Sequence, residues 1–210
     1  MLLAELAAAG TTLAAGAALG RYEMLRWNIW NRKNRLILVL GLAVIFLPGS
    51  CLMKIYGYHF LKIIRYWILM YALVLLALVD MEKKIIPNKA LLVLVGVRTL
   101  FMTGECFCFP ELSAEILVSS GAGLVGGGLL FLLAGLVIRK GLGMGDVKLI
   151  AVMGYYLGFQ VLMSSLIITL TMTVAAGILI LVLKKGSLHT EMPFAPFAAA
   201  GTIITILMGF

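Results

Sequence analysis

The 210-residue sequence is poor in charged residues and contains only two aspartates. Charged residues make up 12% of the chain, whereas a soluble domain normally carries about a quarter. Hydrophobic residues account for 63%, the mean hydropathy is +1.12, and the apolar residues form long runs. This composition excludes a soluble globular enzyme and predicts an all-α polytopic membrane protein.

Motifs for metal and phosphate binding are also lacking. Cys106 and Cys108 form one C-x-C pair without a second ligand pair, and His59 and His189 are predicted on opposite sides of the membrane. No Gly-rich loop with a following Lys and Ser/Thr begins a helix. We therefore expect no metal and no cofactor. Two interpretations of the cysteines stay open: a disulfide from Cys51 to Cys106 or Cys108, and cysteines buried as small apolar residues.

Eight apolar segments are separated by short connections. They cover 2–20, 36–53, 63–79, 89–103, 112–138, 147–159, 161–183 and 194–210. Because a bilayer-spanning helix needs ~20 mainly apolar residues, the sequence predicts one bundle of about eight transmembrane helices. We expect a single membrane domain over 1–210, in which 1–59 supplies the N-terminal helices and a short basic loop.

Glycine clusters in the fifth segment. The cluster comprises Gly121, Gly123, Gly126, Gly127, Gly128 and Gly135. Small residues about four apart let helix backbones approach closely in lipid, where packing drives association. We interpret these glycines as helix contacts.

The net charge of +8 is explained by membrane topology. Short inner connections carry an excess of Lys and Arg. With both termini outside, the inner connections and adjoining helix starts hold 13 of the 17 basic residues, so no nucleic-acid partner is required. These are Arg21, Arg26, Arg32, Lys33, Arg35, Lys83, Lys84, Lys89, Arg139, Lys140, Lys148, Lys184 and Lys185. A cleavable signal peptide is disfavoured, because the positive charge follows the first apolar segment.

The acidic residues carry the functional information. Carboxylates at membrane depth are costly, so they mark functional sites. Asp80 closes the third segment, and Asp146 opens the sixth at an N-cap position, where helix capping is the structural alternative. Glu105, Glu111 and Glu115 are predicted to form a solvated outer face.

The two aspartates are predicted to lie below the inner membrane surface. The sixth segment has 13 residues and covers only ~20 Å of a hydrocarbon core of ~30 Å. Two neighbouring carboxylates cannot both ionise easily, so one keeps a proton. Such a pair suits aspartic protease chemistry, in which one carboxylate activates water and the other polarises a carbonyl. Gly143 and Gly145 would let the backbone approach a partner chain.

Three motifs carry a resemblance to a known family. Residues 80–88, D-M-E-K-K-I-I-P-N, are similar to the D-x5-[IL]-P-[DN] motif of prepilin peptidases, which belong to the GxGD membrane aspartic proteases. Residues 143–151, followed by Gly154 and Gly158, resemble the family's G-x-G-D-x-K-L-x-A-x-x-G stretch. Residues 192–197, M-P-F-A-P-F, are similar to its closing P-F-x-P-F element. The order and spacing of the three blocks agree from about residue 60 to the end.

The resemblance implies that Asp80 and Asp146 are the catalytic pair. They would cleave the basic leader of type IV prepilins or pseudopilins at the cytoplasmic face of a prokaryotic inner membrane, so the expected partners are these substrates and membrane lipid. The supporting motif residues are Gly143, Gly145, Lys148, Pro87, Asn88, Pro193, Phe194 and Pro196. Glu23, Glu82 and Glu191 would attract the leader, or neutralise neighbouring Lys and Arg.

One departure from the family pattern affects the expected activity. Many bacterial members carry a cytoplasmic insert with two C-x-x-C pairs and are associated with methylation of the new N-terminus. The corresponding loop, 21–35, is short and has no cysteine, which indicates a compact, peptidase-only form.

Three alternatives to the leader peptidase fit the sequence less well. An ion- or proton-coupled transporter would use the same aspartates but prefers carboxylates near mid-membrane and an internal repeat. In the presenilin and signal-peptide-peptidase branch the first Asp usually follows Tyr, whereas Val79 precedes Asp80 here. A purely structural membrane subunit would leave the three motifs unexplained.

Overall fold

The computed structural model describes residues 49–137, 143–183 and 192–209, and its regular structure in these ranges is helical. A helical segment at 49–55 precedes six helices and one short 3-10 turn. They are α1 (Phe60–Lys83), α2 (Asn88–Cys108), the 3-10 turn (Pro110–Leu112), α3 (Ser113–Val137), α4 (Met144–Leu157), α5 (Phe159–Val182) and α6 (Ala195–Met208). These bounds confirm the all-α class and follow the third to eighth predicted segments closely. The first segment and most of the second lie outside the described residues.

Helix α1 is the central membrane-length helix. Within the part of the chain that the structure describes, four helical stretches are long and apolar enough to cross a membrane: α1, α2, the 3-10 turn with α3, and α5. The most apolar part of α1 is 72% buried, against 22%, 22% and 17% for the other three. Large apolar side chains on α3 and α5, such as Val118 and Val174, are exposed. In a bilayer these faces contact lipid, as expected of a multi-pass membrane protein.

Helix α4 is short and lies in the core. Its 14 residues cover about 21 Å, less than the ~30 Å of a hydrocarbon core. Leu149, Ile150 and Met153 are fully buried. The Tyr156 hydroxyl donates a hydrogen bond to the Leu94 carbonyl of α2, 2.9 Å away. The depth of α4 is therefore set by its neighbours rather than by its own length.

The glycine cluster confirms the prediction of helix contacts at several positions. Gly123 of α3 faces Gly154 of α4 so closely that a Cβ on either would overlap the carbonyl oxygen of the other. Cβ atoms at 126–128 would also meet side chains of α4 and α5. At Gly121, in contrast, a Cβ would meet no atom of the described residues within 4 Å, so the prediction is not confirmed for this member.

A buried ion cluster joins the helices at one end of the bundle. Arg65 of α1 donates to both carboxylate oxygens of Glu105 of α2, each at 3.0 Å, and Arg98 donates to Glu105 Oε2 at 2.9 Å. Arg98 is fully buried and also bonds the Tyr155 carbonyl at 3.0 Å and Ser120 Oγ at 2.9 Å. The prediction that Glu105 is solvated was wrong, because two guanidinium groups satisfy its carboxylate inside the bundle.

The two neighbouring acids, Glu111 and Glu115, are exposed, unlike the buried Glu105.

The three cysteines, Cys51, Cys106 and Cys108, are free thiols, so the disulfide is not formed. Cys51 and Cys108 are exposed rather than buried, so the interpretation as buried apolar residues was wrong for both.

The contact between α3 and α4 yields a matched pair of stability predictions. Gly123→Ala places a methyl group against the Gly154 backbone and should destabilise the protein by about 1–3 kcal/mol. Gly121→Ala adds the same methyl group where it meets none of the described residues, so the higher helix propensity of Ala should leave stability unchanged or raise it by up to about 1 kcal/mol. The midpoint of thermal unfolding in detergent measures the stability of both variants. Equal midpoints for the two would contradict the close backbone contact.

Candidate active site

Asp80 lies in the last turn of α1 and is only 5% exposed. The helix continues to Lys83, so Asp80 belongs to the helix rather than to the loop after it. Lys84 adopts a left-handed conformation (φ 52°), and its N–H donates to the Asp80 carbonyl at 2.8 Å. This turn ends α1 and directs the chain into α2.

The Asp80 carboxylate accepts a hydrogen bond from the start of α6. The Ala195 backbone N–H donates to Asp80 Oδ2 at 2.9 Å. Ala195 is the first residue of α6, and the partial positive charge of a helix N-terminus also favours a carboxylate there. Sequence reasoning missed this contact, because the donor is a backbone group. The nearest indication was the P-F-x-P-F motif, whose open position is Ala195.

Asp146 is the third residue of α4. The helix begins at Met144 and its N-cap is Gly143, so the expectation that Asp146 occupies the N-cap was wrong. The Asp146 N–H donates to the Gly143 carbonyl at 3.0 Å. Asp146 Oδ2 lies 3.1 Å from where a Cβ of Gly143 would be. Glycine at 143 therefore leaves room for the carboxylate to turn back toward the N-cap.

The electrostatics of Asp146 link it to Asp80. Asp146 precedes the apolar run of α4, outside the four membrane-length helices. Burial raises the pKa of its carboxyl, and the charge of Asp80 raises that pKa further. A hydrogen bond from the Gly143 backbone lowers the pKa in part, but the net shift is upward. Burial and the neighbouring carboxylate therefore both oppose ionisation of Asp146.

The first and second motifs contact each other next to the two aspartates. A Cβ on Gly145 would lie 3.2 Å from Cβ of Ile86, which is buried. Lys148 Nζ donates to Asn88 Oδ1 at 3.0 Å, joining the start of α4 to the start of α2. Pro87 is buried and forms the N-cap of α2. Lys148 thus has a hydrogen-bond partner in the first motif, which the sequence did not reveal.

The third motif adds an aromatic contact from α3. Phe194 is the N-cap of α6, and its ring centroid lies 5.8 Å from that of the buried Phe131. Pro193 precedes this position and Pro196 is the second residue of α6. The ends of α1, α2, α4 and α6 and the side of α3 therefore surround one region of the bundle.

Of the three predicted leader-binding glutamates, the structure describes one. Glu82 is exposed, two residues after Asp80. Glu23 and Glu191 lie outside the described residues. Within 49–137, 143–183 and 192–209, no group of three or more His, Cys, Asp or Glu side chains is placed to hold a metal ion.

The contact between Ile86 and Gly145 predicts a crosslink. In a variant whose native cysteines are replaced by serine, Ile86→Cys with Gly145→Cys should form a disulfide on mild oxidation, because the 3.2 Å separation is close to the ~3.5–4.5 Å of disulfide Cβ atoms. Loss of thiol labelling measures the bond, and the two single variants are the controls. Full labelling of the double variant after oxidation would contradict the convergence of the motifs.

Comparison with known proteins matches the chain to one family. The model of the type IV leader peptidase family matches residues 67–182, more than half of the chain. A prepilin leader peptidase/N-methyltransferase of Bacillus subtilis (strain 168) is 29% identical over 173 residues, 78% of this chain and 64% of the relative. The proteins of the same name from Pseudomonas putida and Aeromonas hydrophila are 35% identical over 71 residues and 29% identical over 143 residues.

These matches cover only part of each relative. The match to the P. putida protein covers 34% of this chain and 25% of that protein, and the match to the A. hydrophila protein covers 68% and 48%. The chain therefore spans from a quarter to nearly two thirds of the length of these relatives. No solved structure matches the chain. The matches do not favour the transporter alternative. The range that matches the family model includes Asp80 and Asp146. Because this model matches more than half of the chain, the protein belongs to the type IV leader peptidase family.

Proposed function

We propose that the protein is a membrane aspartic endopeptidase that removes the leader of type IV prepilin-like proteins, with Asp80 and Asp146 as its catalytic pair. Family membership supports the peptidase activity, and the names of the relatives support prepilins as the substrate class. The observation that carries the catalytic assignment is the convergence of the three motifs: Gly145 packs against Ile86, Lys148 bonds Asn88, and the Ala195 N–H bonds Asp80. The two motifs that contain these residues resemble those of the family.

The surroundings of the two carboxyl groups support different roles. A backbone N–H can only donate, so the Ala195 N–H suits an ionised Asp80, whereas the raised pKa of Asp146 suits a carboxyl that keeps its proton. Asp80 then takes a proton from water as the water oxygen attacks the scissile carbonyl carbon. Asp146 donates its proton to the carbonyl oxygen. When the tetrahedral intermediate collapses, Asp146 recovers that proton, and Asp80 gives the other to the leaving nitrogen.

The charges around this end of the bundle support a cytoplasmic active site. Lys83, Lys84, Lys89 and Lys148 are exposed at the helix ends that surround the aspartates. An excess of lysine in short connections is typical of the cytoplasmic side of an inner membrane. Glu82, exposed in the same turn region, would interact with the basic leader.

Replacement of either aspartate should abolish leader removal. Asp80→Asn removes the base that activates water, and Asp146→Asn removes the transferable proton, so each should reduce cleavage by at least about 10²-fold. Mass spectrometry of a co-expressed prepilin measures the loss of the leader. Glu111→Gln, an exposed carboxylate on the 3-10 turn, is the control and should cleave normally.

Two outcomes would contradict this assignment. Complete cleavage by either Asn variant would exclude that residue as catalytic. Each Asn variant must also insert into the membrane and unfold at the same temperature as the native protein, because a misfolded variant is inactive as well. Proton- or ion-coupled flux in proteoliposomes that both Asn variants lose, without any leader cleavage by the native protein, would support the transporter instead.

The raised pKa of Asp146 predicts the alkaline side of the pH profile. Activity requires the protonated Asp146 carboxyl, so kcat/KM should fall as the pH rises through its pKa. Because burial and the Asp80 charge raise that pKa, the fall should begin clearly above the ordinary value of 3.8. Cleavage of one purified prepilin in detergent across pH 4–9 measures the profile, with folding checked at each pH. A fall that is complete near pH 4 would contradict the role of Asp146 as the acid.

A further inference from the structure

We propose that a cavity at the opposite end of the bundle binds a phosphate group, of the kind that a phospholipid head group carries. The cavity has a volume of about 330 Å³ and lies between the starts of α1, α3 and α5 and the 3-10 turn. Arg65 lines it and lies 15 residues before Asp80 on α1, or ~22 Å along the helix. The proposal is therefore independent of the catalytic assignment.

The first argument is an excess of buried positive charge behind the cavity. Arg65 and Arg98 share the single carboxylate of Glu105, and both of its oxygens are engaged by guanidinium donors. All three residues are buried, and the Nε of Arg65 has no hydrogen-bond partner within the described residues. An uncompensated cation in an apolar interior is costly. An anion in the adjoining cavity would lower that cost.

The second argument is the position of Lys62. It lies one helical turn before Arg65 on the same face of α1 and also lines the cavity. The side chain is partly buried, and its Nζ lies 3.9 Å from the centroid of the Tyr58 ring. Ammonium and guanidinium donors form the strong, charge-assisted hydrogen bonds that phosphate oxygens accept. Ser119, which also lines the cavity, adds a hydroxyl.

The acidic residues of the lining limit the affinity without reversing its sign. Glu115 is exposed and lines the cavity, so its charge opposes an anion. His59 lines it as well, with its ring 4.5 Å from that of Phe109. Among the charged side chains of the lining, Lys62 and Arg65 balance Glu105 and Glu115, and the buried Arg98, which lies behind the lining and bonds Glu105, adds one positive charge.

The depth of the cavity favours a lipid as the source of the phosphate. It lies at the ends of membrane-length helices, which is where a bilayer presents its head groups. Helices α1 and α5 both begin beside it, so the positive ends of two helix dipoles face the same region. A phosphodiester at this depth would reach Lys62 and Arg65 while its acyl chains stay in the bilayer.

The test measures thermal unfolding of the purified protein in an uncharged detergent. Dioctanoyl phosphatidylglycerol, dioctanoylglycerol and inorganic phosphate are titrated separately. We expect the phospholipid to raise the unfolding midpoint saturably and dioctanoylglycerol, which lacks the phosphate, to have no effect. Lys62→Gln should weaken the apparent affinity about tenfold, as expected for the loss of one charge-assisted contact. Glu115→Gln should strengthen it, and Lys89→Gln, an exposed lysine at the other end, should leave it unchanged.

Lys62→Gln and Glu115→Gln should change the affinity for the phospholipid in opposite directions, which separates binding from a general loss of stability. If Lys62→Gln does not fold, the strengthening by Glu115→Gln tests the proposal alone. Saturable stabilisation by inorganic phosphate that Lys62→Gln weakens would support the site with a free anion as its source. Equal phospholipid stabilisation of the native protein, Lys62→Gln and Glu115→Gln would overturn the proposal, as would an equal loss in Lys89→Gln.

Discussion

The backbone contact between Gly123 and Gly154 is the constraint on which the candidate site depends. In lipid, helices associate through packing, so two glycines that bring backbones together fix α3 against α4. Helix α4 is too short to set its own depth in a bilayer and takes it from this contact and from the Arg98 hydrogen bond to the Tyr155 carbonyl. The depth of α4 in turn fixes Asp146, which lies in its first turn.

The two ends of the bundle hold buried carboxylates in different ways. Glu105 has both oxygens engaged by guanidinium groups, which makes it a structural link between α1 and α2. For Asp80, the Ala195 N–H is the single hydrogen-bond donor among the described residues, and it engages Oδ2 alone. A carboxylate with fewer fixed donors retains acceptor capacity for water and substrate. The number of donors thus separates a structural acid from a candidate catalytic one.

The sequence predicted the helices better than the surroundings of single residues. The segments were found because each bilayer-spanning helix needs a long apolar run, whatever its partners. Glu105 was misjudged because its burial depends on Arg65, 40 positions earlier in the chain, and a single sequence does not show that pairing. Asp146 was misplaced by three positions because Gly143 takes the N-cap in an extended conformation. The pairing of Asp80 and Asp146 was inferred from charge scarcity and motif resemblance, which are independent of packing.

The proline pattern of the third motif explains why a backbone group reaches Asp80. The first turn of a helix leaves several N–H groups without helical partners, but Pro196 has no N–H to offer. The Phe197 N–H is already bonded to the Phe194 carbonyl at 3.1 Å. The Ala195 N–H is therefore the first-turn donor that remains for Asp80 Oδ2. Since the contribution of this position is its backbone, the motif can leave the residue between its two P-F pairs open while the flanking residues hold the turn in place.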